Sequence, residues 1–413
     1  MDYHPLGAGG FYISPPAGNK QFLLEGLLIM QDKKYLLIPG PTPIPPRVAE
    51  AMSRPVIGHR SAEFQAVMER VTGKLQQVFQ TKNHVFIQGS SGTGALEAAV
   101  ANLVNPGDKV LALSCGKFGE RFAELARIYG GEVDFVDFGW GYDIDLNVVK
   151  KKLDADPAIK VVLATQNETS TGVQNDIEGL GKLVAEYNAV LAVDAVSGLA
   201  AIDLRTDEWH VDVVVSGSQK AFMLPPGLAF ISVSDKAWQK IEQNTSPKYY
   251  FDLLKARKSI AKWNTAYTTP VTMVFGLEAA LDMILEEGLD NVFARHKLLA
   301  KATRAAIQGL GLELLAPDEC ASQAVTAVQS PMVVDADTLR KVLLRDYGVT
   351  FAGGQDKMKG KIFRIAHMGY ADKMDVIIAI AALEMALGKC GYKAELGAGV
   401  REAQMVFVGG EHA

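Results

Sequence analysis

Lys220 closes the run Ser216-Gly217-Ser218-Gln219-Lys220, just beyond a short stretch of valines that reads as a strand. An amine at the mouth of an apolar site has its pKa lowered and can form a Schiff base with a carbonyl; by itself, though, a lysine reads far more readily as a solvated surface charge. Asp194 stands 26 positions earlier, directly after the apolar run Val190-Leu191-Ala192-Val193, so its carboxylate emerges at a strand end. There it can keep a protonated ring nitrogen cationic, as an electron-sink cofactor requires, or simply cap a helix. Earlier still, Gly89-Ser90-Ser91-Gly92-Thr93-Gly94 leads from a strand into a helix. Small residues let the backbone approach an anion, free N–H groups and the helix dipole attract it, and Ser91 and Thr93 can donate hydroxyl hydrogen bonds. A phosphate suits this loop, although any strand-to-helix turn favours Gly and Ser, and the loop has neither the lysine of a nucleotide P-loop nor the glycine order of a dinucleotide fold. The joint order of loop, carboxylate and lysine points to chemistry where each feature alone does not.

These three features require particular elements to carry them. Strand patterns at 85–88, 109–113, 133–138, 160–165, 190–194, 211–216 and 228–233 alternate with helical patterns at 94–104, 118–129, 146–153 and 177–187. Such alternation is the signature of a mostly parallel α/β sheet flanked by helices, in which ligands bind beyond the carboxyl ends of the strands. From about residue 270 the pattern changes to helices at 271–287, 291–310, 337–346 and 375–388 with weaker strands, which suggests a smaller α+β domain. The expected division is an extension at 1–34, a large α/β domain at 35–290, a smaller C-terminal domain at 291–390 and a tail at 391–413.

Composition narrows the functional classes. With 413 residues, 48% hydrophobic and 22% charged, the chain has ample apolar material for one large or two ordinary packed domains. A net charge of -5, with no block of five or more like charges, leaves no footprint for a nucleic acid. Cys115, Cys320 and Cys390 are widely spaced, with no Cys/His cluster to hold a metal, and fit a reducing compartment. The apolar run at 22–30 is interrupted by Glu25 and makes a poor signal peptide, and no stretch is long enough to span a bilayer, so a cytoplasmic enzyme is expected.

From about Leu36 to Gly388 the chain resembles a class V aminotransferase of pyridoxal-phosphate (PLP) fold type I, in the alanine:glyoxylate and serine:glyoxylate branch. The resemblance is carried by Pro39-Gly40-Pro41-Thr42, Gly58-His59-Arg60-Ser61, Ser91-Gly92-Thr93-Gly94, Asn167-Glu168-Thr169-Ser170-Thr171-Gly172, Val193-Asp194-Ala195-Val196-Ser197, Ser216 to Lys220, and Arg364-Ile365-Ala366-His367-Met368-Gly369. It implies that Ser91, Gly92, Thr93 and Gln219 hold the cofactor phosphate, that Phe118 stacks on the pyridine ring and that Val196 packs on the other face. Thr169 would hydrogen-bond near the ring oxygen, Asp194 would pair with the ring nitrogen, and Lys220 would bind the cofactor and then shuttle a proton between the substrate Cα and the cofactor's C4′. Arg364 would clamp the substrate carboxylate, with Gly40 lining the same pocket. The resemblance further implies a homodimer with shared sites, Thr268 or Thr269 reaching across to the partner's phosphate, and packing or hydrogen-bonding roles for His59 and His367.

The expected reaction is amino transfer from a small amino acid, alanine or serine, to glyoxylate, giving glycine and a 2-oxo acid. A ureidoglycine or aminophosphonate donor is an alternative, as is a lyase or a cysteine desulfurase using Cys320, although Asp318-Glu319-Cys320-Ala321-Ser322 lacks the small-residue setting of a desulfurase loop. A non-catalytic scaffold would have no need of so complete a set of groups.

Overall fold

The computed structural model describes residues 33–409. The extension expected at 1–34 therefore lies, apart from its last two residues, outside the described residues. In chain order the strands are β1 (Tyr35–Leu37), β2 (Val85–Ser90), β3 (Lys109–Ser114), β4 (Glu132–Asp137), β5 (Ile159–Thr165), β6 (Asn167–Glu168), β7 (Val173–Gln174), β8 (Val190–Asp194), β9 (Val213–Gly217), β10 (Gly227–Val233), β11 (Val325–Gln329), β12 (Val349–Gly353) and β13 (Ile362–Ala366).

Seven of them form one sheet in the order β2-β10-β9-β8-β5-β3-β4, parallel except that β10 runs antiparallel to both neighbours. Its central strands are apolar along their whole length because both faces are covered. Side chains alternate between faces: Leu191, Val193 and Val214 enter one core, while Val190, Ala192, Val213 and Val215 enter the other. Each such fully buried side chain contributes roughly 1.5–3 kcal/mol to burial. Between β2 and β3 lies the helix Gly92–Leu103, between β3 and β4 the helix Lys117–Ile128, and between β4 and β5 the helix Leu146–Ala155. The helix expected at 177–187 ends at Val184, and the strand expected at 211–216 runs from Val213 to Gly217.

A second sheet has the order β1-β12-β13-β11, with β1 parallel to β12 and the other pairs antiparallel. Residues of β12 and β13 (Val349, Phe351, Phe363 and Ile365) share one core with Leu299, Leu339, Leu383 and Phe407 from the surrounding helices. Two of its components have no counterpart in the sequence reading. Tyr35–Leu37 joins this sheet by pairing with Val349–Phe351, although it is followed in the chain by elements of the other sheet. Within the stretch expected as a tail, Ala398–Gly409 is a helix that buries Ala403 and Phe407. Among the described residues no helix is long and apolar enough to cross a membrane.

Candidate active site

At the carboxyl ends of the large sheet a hollow is lined by Ser91, Gly92, Thr93, Phe118, Arg121, Asn167, Thr169, Asp194, Val196, Ser197, Gln219 and Lys220. Chain segments more than 100 residues apart thus meet where the strands end. Ser91 is the N-cap of Gly92–Leu103, yet its hydroxyl makes no capping bond, and the Gly92 and Thr93 N–H groups have no backbone acceptor among the described residues. A helix N-terminus with unused N–H and O–H donors is a preformed anion cradle. Gly92 is required here because a Cβ would lie 2.8 Å from both Val196 methyls. Gln219 lines the same hollow, and its amide could serve an anion only through the Nε2 donor; its buried Oε1, an acceptor, has no partner among the described residues.

Asp194 ends β8 buried, and its Oδ1 accepts a single hydrogen bond, from the Val196 N–H at 2.9 Å. Among the described residues no cation stands within ion-pair distance of it. Burial pushes its carboxyl up to about 6, opposed chiefly by the Val196 bond. A buried carboxylate left in this state is suited to a cationic N–H donor brought by a ligand. Lys220 is shifted the opposite way, down to about 8, by burial and, to a lesser extent, by the positive charges of Arg364 and Arg121, against the pull of Asp194. A sizeable neutral fraction near neutrality makes its amine a competent nucleophile and base.

The Lys220 ammonium donates to the Pro39 carbonyl, and the backbone at Lys220 is held by Thr42, whose hydroxyl donates to the Lys220 carbonyl at 2.8 Å. Gly40 lies directly against it. With φ +116 and a Cβ position 2.6 Å from Lys220 Cδ, it admits no side chain. Arg364, on β13, is 6% exposed and has no carboxylate partner among the described residues. Its Nε and Nη2 donate to the Gly353 carbonyl at 2.9 and 2.7 Å, and Nη1 donates to the Thr169 carbonyl at 2.8 Å. These bonds use three of five N–H groups and leave one on each terminal nitrogen, the pair suited to a carboxylate. A surface ion pair, the ordinary use of an arginine, is excluded by its burial.

Residues 34–368 match the aminotransferase class-V family. The chain belongs to that family, whose members are PLP enzymes. It is 45% identical over 382 residues, covering 92% of this chain and 99% of the relative, to a protein named the small subunit of a soluble hydrogenase in Synechococcus sp.. It is 37% identical over 380 residues, 90% of this chain and 94% of the relative, to serine–glyoxylate aminotransferase of Arabidopsis thaliana. Among solved structures, ureidoglycine–glyoxylate aminotransferase from Bacillus subtilis superposes with a TM-score of 0.87 at 30% identity, over 92% of this chain and 99% of that one. Fold type I, expected from the sequence, is the fold of this class-V aminotransferase.

Not every expected residue reaches the hollow. Thr268 and Thr269 line a separate depression with Gly89, Tyr250 and Tyr267, where the buried Thr269 hydroxyl has no partner among the described residues. His367 is fully buried, its Nε2 3.0 Å from the Thr326 hydroxyl, and burial takes its pKa to about 3, so it packs as a neutral ring. His59 is partly exposed and outside the residues lining the hollow. Cys320 is buried in a short 3-10 turn, with its thiol pushed up to about 11 by burial, unlike a mobile thiolate nucleophile. Leu96 and Arg121 also line the hollow without a site role in the sequence reading, and Asn167 and Ser197 figure there only as parts of longer segments, with no role of their own. Arg121 stands one helical turn after Phe118, with its guanidinium 4.9 Å from that ring's centre and Nη1 3.2 Å from Thr93 Oγ1. The i to i+3 spacing was the available signal. Ser197 bridges Thr169 at 2.6 Å and Asn167 at 2.9 Å.

Proposed function

We propose that this aminotransferase uses PLP to move the amino group of a small amino acid, alanine or serine, to glyoxylate, releasing a 2-oxo acid and glycine. The carrying observation is the buried Arg364 guanidinium, oriented by two backbone carbonyls and without an acidic partner among the described residues, close enough to Lys220 to depress its pKa. The relatives named for glyoxylate transfer support the acceptor.

The residues fit the cofactor. Ser91, Gly92, Thr93 and Gln219 would hold the phosphate at the helix N-terminus, with Phe118 and Val196 on the two ring faces, Thr169 beside the ring oxygen and Asp194 at the ring nitrogen. When bound, PLP supplies an electron sink that stabilises negative charge at the substrate Cα. Lys220 provides the amine that binds the cofactor and, once freed, takes and returns the Cα proton. Arg364 orients the substrate by its carboxylate, which amino acid and glyoxylate share, so one clamp serves both halves of the reaction. Gly40 closes the pocket beside Lys220 without intruding on it. Thr268 and Thr269, which line a separate depression and not this hollow, fit a homodimer in which one of them reaches the partner's phosphate site. A cytoplasmic location accords with the three unpaired thiols.

The test is the visible absorbance of the purified protein reconstituted with PLP. The band should shift on adding L-alanine or L-serine and return on adding glyoxylate, with glycine and the matching 2-oxo acid as products. If neither donor supports turnover, the assignment of a small donor fails.

A further inference from the structure

The helix Lys117–Ile128 carries both Phe118 and Arg121, yet its own N-cap, Gly116, has no side chain to satisfy the first N–H groups. Residues about 50 positions further along the chain do so. Glu168 Oε2 accepts from the Phe118 and Gly119 N–H groups at 2.9 and 3.1 Å, and Ser170 Oγ accepts from Lys117 N at 3.0 Å. The other oxygen, Oε1, accepts from Ser170 N at 3.1 Å and Ser170 Oγ at 2.6 Å. All four partners of the fully buried carboxylate are therefore donors, the pattern an ionised acid satisfies and an amide does not; burial pushes its pKa up, and the bonds from Ser170, Gly119 and Phe118 oppose that rise. Gly116 makes the approach possible, since a Cβ there would lie 2.5 Å from Ser170 Oγ and 2.6 Å from Glu168 Cδ. The next residue, Thr169, offers its carbonyl to Arg364 Nη1 at 2.8 Å and its hydroxyl to Ser197 at 2.6 Å.

We propose that Glu168 is a positioning residue that sets the ring-stacking Phe118 and the carboxylate-binding Arg364 together, through the single short segment Glu168-Thr169-Ser170. The inference rests on the roles given to Phe118 and Arg364 in the proposed function. A helix start held by a carboxylate is fixed in both direction and depth, because the charge-assisted bonds are directional and the helix dipole favours the anion. The same carboxylate pins Ser170, and so sets the Thr169 carbonyl against which Arg364 is aimed. Loosening Glu168 should therefore weaken two functions at once, one carried by the helix Lys117–Ile128 and the other by β13.

The experiment compares wild type with Glu168→Gln, which keeps size but turns an NH2 group toward two donors. It reads PLP affinity by titrating cofactor-free protein, the visible circular dichroism of bound PLP, and the KM and kcat for the donor used by wild type. Expected are a rise of about tenfold or more in both the PLP Kd and the donor KM, a weaker dichroism band, and a kcat at saturation within about fivefold of wild type, since Lys220 and Asp194 are untouched. A variant with lowered Tm but Kd, KM and dichroism within about twofold of wild type has lost only a structural bond, and overturns the proposal. If Glu168→Gln does not fold, Ser170→Ala removes one donor to the carboxylate and the acceptor for Lys117 N; it should raise Kd and KM together by about threefold, and unchanged values overturn the proposal as well. Wild type that neither binds PLP nor transfers an amino group overturns the functional reading itself, a result distinct from an active wild type with an unaltered variant.

Discussion

Asp194 and Arg364 are both buried, and each lacks an ion-pair partner among the described residues, but they are held in contrasting ways. Asp194 sits where it does because β8 ends there, and its one bond goes to Val196 two residues on. Arg364 lies in the middle of β13, and its guanidinium is aimed by the carbonyls of Gly353 on β12 and of Thr169 in the turn between β6 and β7. The first is a local arrangement at a strand end, the second an assembly of three separated segments. The difference lies in how firmly each group is placed: a strand end is positioned by the core, whereas a carbonyl in a turn can be re-aimed.

The contrast can be tested by removing one side at a time. Lys220→Ala should have the largest effect, a loss of about 10⁴-fold or more in turnover together with the visible band of bound PLP. Retention of that band would break the assignment of the strand-end side altogether. Arg364→Lys should lower kcat/KM about 100-fold, mostly through KM, because an ammonium cannot reproduce the bidentate fork, while PLP affinity stays near wild type. Loss of cofactor affinity in that variant would mean the two ends are not separable from the arginine side.

Gly40→Ala probes the seam between them. The added methyl meets Lys220 Cδ at 2.6 Å in a backbone with φ +116, so a stability loss of about 1–3 kcal/mol and a roughly tenfold fall in kcat/KM are expected, readable by thermal melting and steady-state kinetics. Equal stability would show that the loop yields without cost.

The smallest effect concerns the cofactor-free protein and depends on pH. The Asp194 carboxyl is raised to about 6 from an ordinary value near 4, so ionising it costs the folded state more than the unfolded one. That penalty is absent at pH values below the unfolded pKa, grows as pH rises from about 4 through 6, and is constant above. Asp194→Asn should therefore be the more stable protein at pH 7.5 by about 1–3 kcal/mol, with the gap shrinking by pH 4.5 in melts of cofactor-free protein. A gap that ignores pH would show that Asp194 has a cationic partner even without the cofactor.

Much of this was legible in residue order. The alternation of apolar runs and helical patterns yields the large sheet, and the small residues at 89–94, Asp194 and Lys220 converge because each follows a strand of that sheet. The helix Ala62–Phe79 was legible too, although it forms no part of the elements read from the sequence: Phe64, Val67, Met68, Val71, Leu75 and Val78 recur at helical spacing behind the N-cap Ser61. What residue order did not disclose are the partners of groups whose satisfaction is distant. The helix Lys117–Ile128 starts on Glu168 and Ser170, and Ala398–Gly409 starts with its Gly397 and Val400 N–H groups on the carboxylate of Glu384, at 2.8 and 3.1 Å.

The sequence by itself thus determined the fold class, the order of the chemical groups and the ends of the strands that carry them, because hydrophobic period and turn chemistry act within a few residues. Only the tertiary structure decided that Arg364 is oriented by carbonyls rather than by an acid, that Tyr35–Leu37 belongs to the second sheet, and that one buried carboxylate holds the start of the helix that carries Phe118. Each of those depends on a hydrogen bond or strand pairing between segments far apart in the chain, which no local pattern records.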